Sequence, residues 1–137
     1  MRSRNERGSA SVELVLLTPV LVGLLCLTVA FGRIQSARAH IEASARDAAR
    51  AASLERTAGG ARVAGERAAS AGLNASGYSC QPLNVAVDTT GFGADATVSA
   101  TVTCTLSLAD VTGMGIPSSR TLTAQFSEPI DRYRGTR

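Results

Sequence analysis

The chain has 137 residues, including 14 arginines, no lysine and no tryptophan, against 11 acidic residues. A chain of this length has room for one small domain, which excludes a large multi-domain enzyme. Three of the arginines lie in residues 1–8, and without that segment eleven arginines stand against ten acids. Nearly balanced charge and few aromatic side chains do not fit a nucleic-acid-binding surface.

Residues 14–32 form an uncharged, strongly apolar run of 19 residues. As a helix this run rises about 28 Å, which is close to the hydrocarbon thickness of a bilayer. The run is longer than the core of an ordinary secretory signal, and no well-formed small-x-small cleavage site follows it. We therefore predict one membrane-spanning helix, with a proline, Pro19, that removes one helical hydrogen bond.

The segment before the span is basic and ends in small residues, Gly8-Ser9-Ala10-Ser11. It resembles a prepilin-type signal, in which a dedicated peptidase cuts after a glycine on the cytoplasmic side and leaves the helix attached. That resemblance makes Gly8 and Ser9 the processing site and places Glu13 five residues into the mature chain.

Glu13 has two readings at the boundary of the span. A carboxylate there is favoured by the positive end of the helix dipole and can pair with the new ammonium group of Ser9 on a neighbouring subunit. Such a pair would set the register of helix packing. In the alternative, Glu13 only begins the helix and has no further role.

Residues 33–54 contain neither proline nor glycine, so the span is expected to continue as one long helix. A stripe of apolar and small residues recurs at helical spacing and predicts a face for close packing. Charge pairs Glu42–Arg46 and Asp47–Arg50 are expected on the outer side. The stripe consists of Ile34, Ala37, Ile41, Ala45, Ala48 and Ala52.

The order and spacing of these features resemble one family. Gly8, Glu13, Pro19 and Gly32-Arg33 precede an alanine-arginine stretch at residues 45–51. This pattern is similar to the TadE-like family, pseudopilin-type components of the tight-adherence (Flp-type) pilus machinery of bacteria. Members of this pilus system commonly have an aromatic residue after the glutamate, whereas this chain has Leu14. The resemblance implies a non-catalytic assembly protein whose partners are a prepilin peptidase, other pilins and the assembly platform.

Cys80 and Cys104 are the only cysteines outside the span, since Cys26 lies within it. Such a pair predicts one disulfide in an oxidising compartment; the alternative is two buried free thiols. A disulfide requires the C-terminal part to lie outside the cytoplasm. The three leader arginines favour a cytoplasmic N-terminus, although arginines after the span weaken that signal.

The distal part changes from helical to strand periodicity. We predict a second helix at residues 61–71, after a break at Gly59-Gly60 and ended by Gly72, followed by strands near residues 83–87, 96–108 and 122–126. Opposed residues of antiparallel strands share a face, so the odd-numbered apolar residues Leu83, Val85 and Val87 must lie opposite even-numbered residues of the next strand. Cys80 and Cys104 are both even-numbered, so a bridge between them is incompatible with unbroken pairing back to Cys80. We expect the first strand to begin, or to bulge, at Gln81-Pro82.

These observations predict an α+β, pilin-like fold: a membrane-spanning helix that continues into a juxtamembrane helix, then a small antiparallel three-stranded sheet. The predicted segments are a leader at 1–8, the helix at 9–58, an extracytoplasmic domain at 59–128 and a mobile tail at 129–137.

No pattern typical of a catalytic, metal or cofactor site is present, and His40 is expected to be an exposed helix residue. The expected function is a minor pilin or pseudopilin of a pilus-assembly or related secretion system. The alternative is a single-span envelope protein that keeps its N-terminus and displays a small binding domain.

Overall fold

A computed structural model of the chain describes residues 6–133 apart from 114 and 116. Within this range a very long helix is followed by a second helix and a small sheet whose strand order is β1-β2-β3, with both pairings antiparallel. The fold class predicted from the sequence is therefore confirmed. The elements are α1 (Glu6–Ser53), α2 (Ala58–Ser76), β1 (Leu83–Asp88), β2 (Thr97–Ser107), α3 (Leu108–Thr112) and β3 (Ser119–Pro129).

Helix α1 is one element of 48 residues that passes through Pro19 without a break in its assignment. Its second half carries the predicted stripe, and the stripe is buried against α2 and the sheet, as expected. Ala45, Ala48 and Ala52 have no exposed surface, and Ala37 and Ile41 are almost completely covered. Small side chains at these positions let the neighbouring elements approach the α1 backbone closely.

Helix α2 is longer than predicted at both ends. Instead of breaking the chain, Gly59-Gly60 form part of its first turn, because the Thr57 side chain caps the helix and accepts a hydrogen bond from the Gly60 N–H at 3.0 Å. Gly72 does not end the helix either. It lies inside α2, and the left-handed residue that ends the helix is Gly77.

The α1–α2 interface depends on glycine as well as alanine. A Cβ atom placed on Gly65 would lie 2.8 Å from Val87 Cγ2 and 3.2 Å from the Ala48 carbonyl oxygen. A Cβ atom on Gly72 would lie 3.1 Å from Ser44 Oγ. At Gly65, therefore, α1, α2 and β1 meet with no room for a side chain.

The burial of side chains alternates along strand β2, as its sequence predicts. Its even-numbered residues from Val98 to Leu106 are buried against the helices, and its hydroxyl-bearing odd-numbered residues form the opposite face. On that outer face, hydroxyl groups of β2 and β3 are hydrogen-bonded across the strands in three pairs: Ser99–Ser127, Thr103–Thr123 and Thr105–Thr121.

The predicted strand parity is also confirmed. Leu83 pairs with Cys104, and Val87 pairs with Ala100, so odd residues of β1 oppose even residues of β2. Strand β1 begins at Leu83, directly after Gln81-Pro82, and regular pairing does not extend to Cys80. The disulfide and the sheet are therefore compatible because the chain leaves the regular ladder before it reaches Cys80.

Strand β3 is longer than the predicted strand at 122–126, because it pairs with β2 along its whole length. The segment expected to be a tail from residue 129 begins inside this sheet: Pro129 ends β3, and Ile130 is buried and donates its N–H to the Ala96 carbonyl at 2.8 Å. Residues 134–137 of that predicted tail lie outside the described residues.

Candidate membrane anchor and assembly segment

The first half of α1 projects its apolar side chains away from the rest of the molecule. From Val12 to Phe31 its large apolar side chains are about half to two-thirds exposed, for example Leu14 at 69% and Phe31 at 59%. Exposed apolar surface of this extent is typical of a segment that contacts lipid or another protein. Within the described residues, α1 is the one helix that is long and apolar enough to cross a membrane.

The predicted processing site lies at the N-terminal end of this helix. Gly8 and Ser9 fall within α1, whose assignment starts at Glu6. The beginning of the predicted leader, residues 1–5, lies outside the described residues. Glu13 is exposed, one turn further along α1. The structure thus places Gly8, Ser9 and Glu13 on one continuous helix.

The first half of α1, which we call the anchor, contains hydroxyl groups that donate hydrogen bonds to the backbone of the same helix. Thr18 Oγ1 donates to the Leu14 carbonyl at 2.6 Å, and Thr28 Oγ1 donates to the Leu24 carbonyl at 2.8 Å. Pro19 has no N–H for the carbonyl four residues before it. Because both threonine hydroxyls have a backbone acceptor, they do not need a partner in the surrounding lipid.

Cys80 and Cys104 form the predicted disulfide, with a Cα–Cα distance of 5.1 Å. This pairing removes the alternative of two free thiols. Cys104 is fully buried on the core face of β2, while Cys26 is an exposed free cysteine in the first half of α1. The bridge joins the segment that leaves α2 to the central strand, so it ties the helical layer to the sheet.

The domain has no cluster that would hold a metal ion among the residues that the structure describes. Asp95 instead binds Arg132 at 3.1 Å. Asp88 accepts hydrogen bonds from the side chain and backbone N–H of Thr90, and these bonds hold the pKa of Asp88 below its ordinary value. His40 is exposed, as predicted, with its ring 5.6 Å from that of Tyr78.

Both predicted charge pairs on α1 are wrong: among the described residues the ion pairs are Arg38–Glu42 and Arg132–Asp95, so Asp47 and Arg50 do not form one. Glu42 pairs with Arg38 at 3.0 Å rather than with Arg46. Arg46 instead lies over the ring of Phe126, 5.0 Å from its centroid. Strand β3 brings the ring of Phe126 within reach of the guanidinium group. This cation–π contact competes with an exposed ion pair, which would contribute little to the free energy of folding. Helix spacing alone gives no sign of Phe126, which lies far away in sequence.

These features define a class: an α+β protein with one N-terminal helix that can span a membrane and a small disulfide-linked domain at its end. The model of the TadE-like protein family matches residues 8–50. This match confirms that this segment, about a third of the chain, resembles that family. Neither a curated protein nor a solved structure matches the chain significantly.

The matched segment coincides with one structural unit. It begins at the predicted processing site and ends three residues before the end of α1. It therefore includes the exposed apolar half of α1 and most of the buried stripe. Helix α2 and the sheet lie outside the match, so the family resemblance concerns the anchor and its continuation into the domain.

Proposed function

We propose that the chain is a non-catalytic minor pilin or pseudopilin that takes part in assembling a tight-adherence-type pilus or a related secretion machinery. One observation carries this proposal. The family match covers an α1 whose first half is exposed and apolar and whose second half is the packing face of a folded domain. Such a helix can hold a domain at a membrane while its apolar surface contacts lipid or other helices.

In this proposal a prepilin peptidase of the cell membrane cuts between Gly8 and Ser9 on the cytoplasmic side. The mature protein keeps its single span, with its N-terminus in the cytoplasm and its domain outside. The Cys80–Cys104 disulfide supports this orientation, because such bonds persist in oxidising compartments and are rare in the cytoplasm.

Replacing Gly8 with leucine is expected to stop processing, because the peptidase requires a small residue before the cut. The precursor should keep residues 1–8 and migrate as a slightly larger band than the wild-type protein in membrane fractions of cells that contain the peptidase. Gly32→Leu is the matched control, since nothing lies within 4 Å of a Cβ atom at Gly32 and processing should remain complete. Normal cleavage of the Gly8→Leu chain would contradict the proposed processing site.

Glu13 is proposed to pair with the Ser9 ammonium group of a neighbouring subunit. Glu13→Gln should leave membrane insertion intact and lower the cross-linking of the protein to other pilins by about tenfold, the equivalent of about 1.4 kcal/mol. The measurement is cross-linking in membranes that contain the assembly system. Glu66→Gln, at an exposed position on α2, is the control. Equal cross-linking for the Glu13→Gln and Glu66→Gln proteins would show that Glu13 only begins the helix.

A further inference from the structure

Ala30 lies two residues inside the apolar run, yet it is nearly buried. Its exposed fraction is 7%, whereas its neighbours Val29 and Phe31 are 51% and 59% exposed. One side of α1 is therefore covered at the level of Ala30. Since a helix rises 1.5 Å per residue, this level is about 3 Å below the end of the run at Gly32.

The part of the domain nearest this level is the connection from β2 to β3. A Cβ atom on Gly113, at the end of α3, would lie 3.4 Å from the Arg33 guanidinium group, and Arg33 directly follows the apolar run. The Ser118 carbonyl accepts the Leu108 N–H at 2.8 Å and closes this connection at its base. A small apolar recess at the same end is lined by Ile34, Ala37, Leu106, Leu108, Val111, Arg120 and Leu122.

The opposite end of the domain is far from the run. Ile130 packs in a separate cluster with Ala52, Ala61 and Val98. From Ala30 to Ala52 the helix rises about 33 Å. The strands follow the helix over this distance, because Leu106 lies near Ile34 while Val98 lies near Ala52. The β2–β3 connection and Tyr133 therefore mark the near and far ends of the domain.

The near end has a composition that suits the surface of a bilayer. We call it the base and define it by five exposed residues: Arg33, Gly113, Pro117, Ser118 and Arg120. It carries two arginines from different elements, Arg33 from α1 and Arg120 from β3.

We propose that the base rests in the headgroup layer of the same bilayer that α1 spans. The span fixes the depth of Arg33, which directly follows it, and the approach of Gly113 to Arg33 brings the β2–β3 connection to that depth. Arg33 and Arg120 are placed there to bind lipid phosphates. The domain is thus held against the membrane surface, and the long axis of the domain is directed away from the bilayer. This inference rests on the proposed membrane span.

The absence of tryptophan from the chain makes the depth of the base measurable. The full-length Ser118→Trp protein is reconstituted into phosphatidylcholine and phosphatidylglycerol vesicles whose acyl chains carry bromine near the headgroup, which quenches nearby indole fluorescence. Tyr133→Trp, at the far end, is the matched control for any general affinity of indole for lipid. Flotation with the vesicles verifies insertion, and intact mass verifies that the disulfide has formed.

Brominated lipid is expected to reduce the Ser118→Trp fluorescence about twofold and to leave the Tyr133→Trp fluorescence nearly unchanged, because interfacial segments sit within about 5–10 Å of the acyl boundary. Equal and weak quenching of both floated proteins would overturn the inference while leaving the span intact. Failure of both proteins to float would instead overturn the span, and with it the proposed function.

If the Ser118→Trp protein does not form its disulfide, Pro117→Trp provides a second exposed position in the base. The same contrast with Tyr133→Trp is expected for it. Quenching of the Pro117→Trp protein at the level of the far-end control would overturn the inference.

Discussion

Replacing Gly65 with alanine is expected to lower the free energy of unfolding by about 1–2 kcal/mol. The added Cβ atom would lie 2.8 Å from Val87 Cγ2 and 3.2 Å from the Ala48 carbonyl oxygen, so α1, α2 and β1 must move apart. Overpacking of this kind costs about 1–3 kcal/mol, and the better helix propensity of alanine offsets up to about 1 kcal/mol of that cost. Thermal unfolding of the detergent-solubilised full-length protein, followed by circular dichroism, measures the change.

The chain offers a matched control for this substitution within the same helix. Nothing lies within 4 Å of a Cβ atom at Gly59. Gly59→Ala should therefore leave stability unchanged or raise it by up to about 1 kcal/mol. If the Gly65→Ala protein were as stable as the Gly59→Ala protein, the three-way contact at Gly65 would not be as close as the structure shows.

Loss of the disulfide is expected to have a larger effect, about 3 kcal/mol. The bridge joins residues separated by 24 positions, and closing a loop of that length restricts the unfolded chain by about this amount. Cys80→Ser removes the bridge at its less buried end, and the wild-type protein with a reducing agent should unfold in the same temperature range as this variant. Thermal unfolding in detergent, with and without the reducing agent, provides the comparison.

Cys26→Ala is the control for the disulfide experiment, because Cys26 is free and exposed in the anchor. Its unfolding should match that of the wild-type protein and should remain sensitive to reduction. A Cys80→Ser protein as stable as the Cys26→Ala protein would contradict a stabilising role for the bridge.

Periodicity in the sequence was sufficient to predict the main elements. The stripe on α1 repeats at helical spacing, and β2 alternates with a period of two, so each pattern identifies a buried face without knowledge of its partner. Parity then predicted that odd residues of β1 oppose even residues of β2 and that regular pairing is interrupted at Gln81-Pro82. These features depend on local geometry, which the sequence expresses directly.

Features that depend on helix caps or on distant residues could not be predicted from periodicity. The ends of α2 depend on the Thr57 cap and on Gly77. Gly59-Gly60 suggested a break in the chain, but with the Thr57 cap they form part of the first turn of α2. Arg46 contacts Phe126 rather than Glu42 because the sheet folds over α1. The short helix α3 follows β2 directly, and strand periodicity at residues 96–108 did not reveal its start at Leu108.

For the candidate site, the sequence reveals the positions of the residues but not their contacts with other molecules. The positions of Gly8, Ser9 and Glu13 follow from spacing relative to the apolar run, and the family match begins at Gly8. Their proposed roles involve a peptidase and a neighbouring subunit, so they depend on surfaces of other molecules. No physical rule applied to this chain alone determines those contacts.

The most direct test of this account is the N-terminal residue of the protein isolated from membranes of cells that contain the assembly system. Intact-mass measurement and terminal sequencing should show that the mature chain begins at Ser9 and retains the whole apolar run. A chain that begins at Met1 would contradict the account and favour an envelope protein with an uncleaved N-terminus. A chain that begins beyond Gly32 would contradict both and indicate a secreted domain.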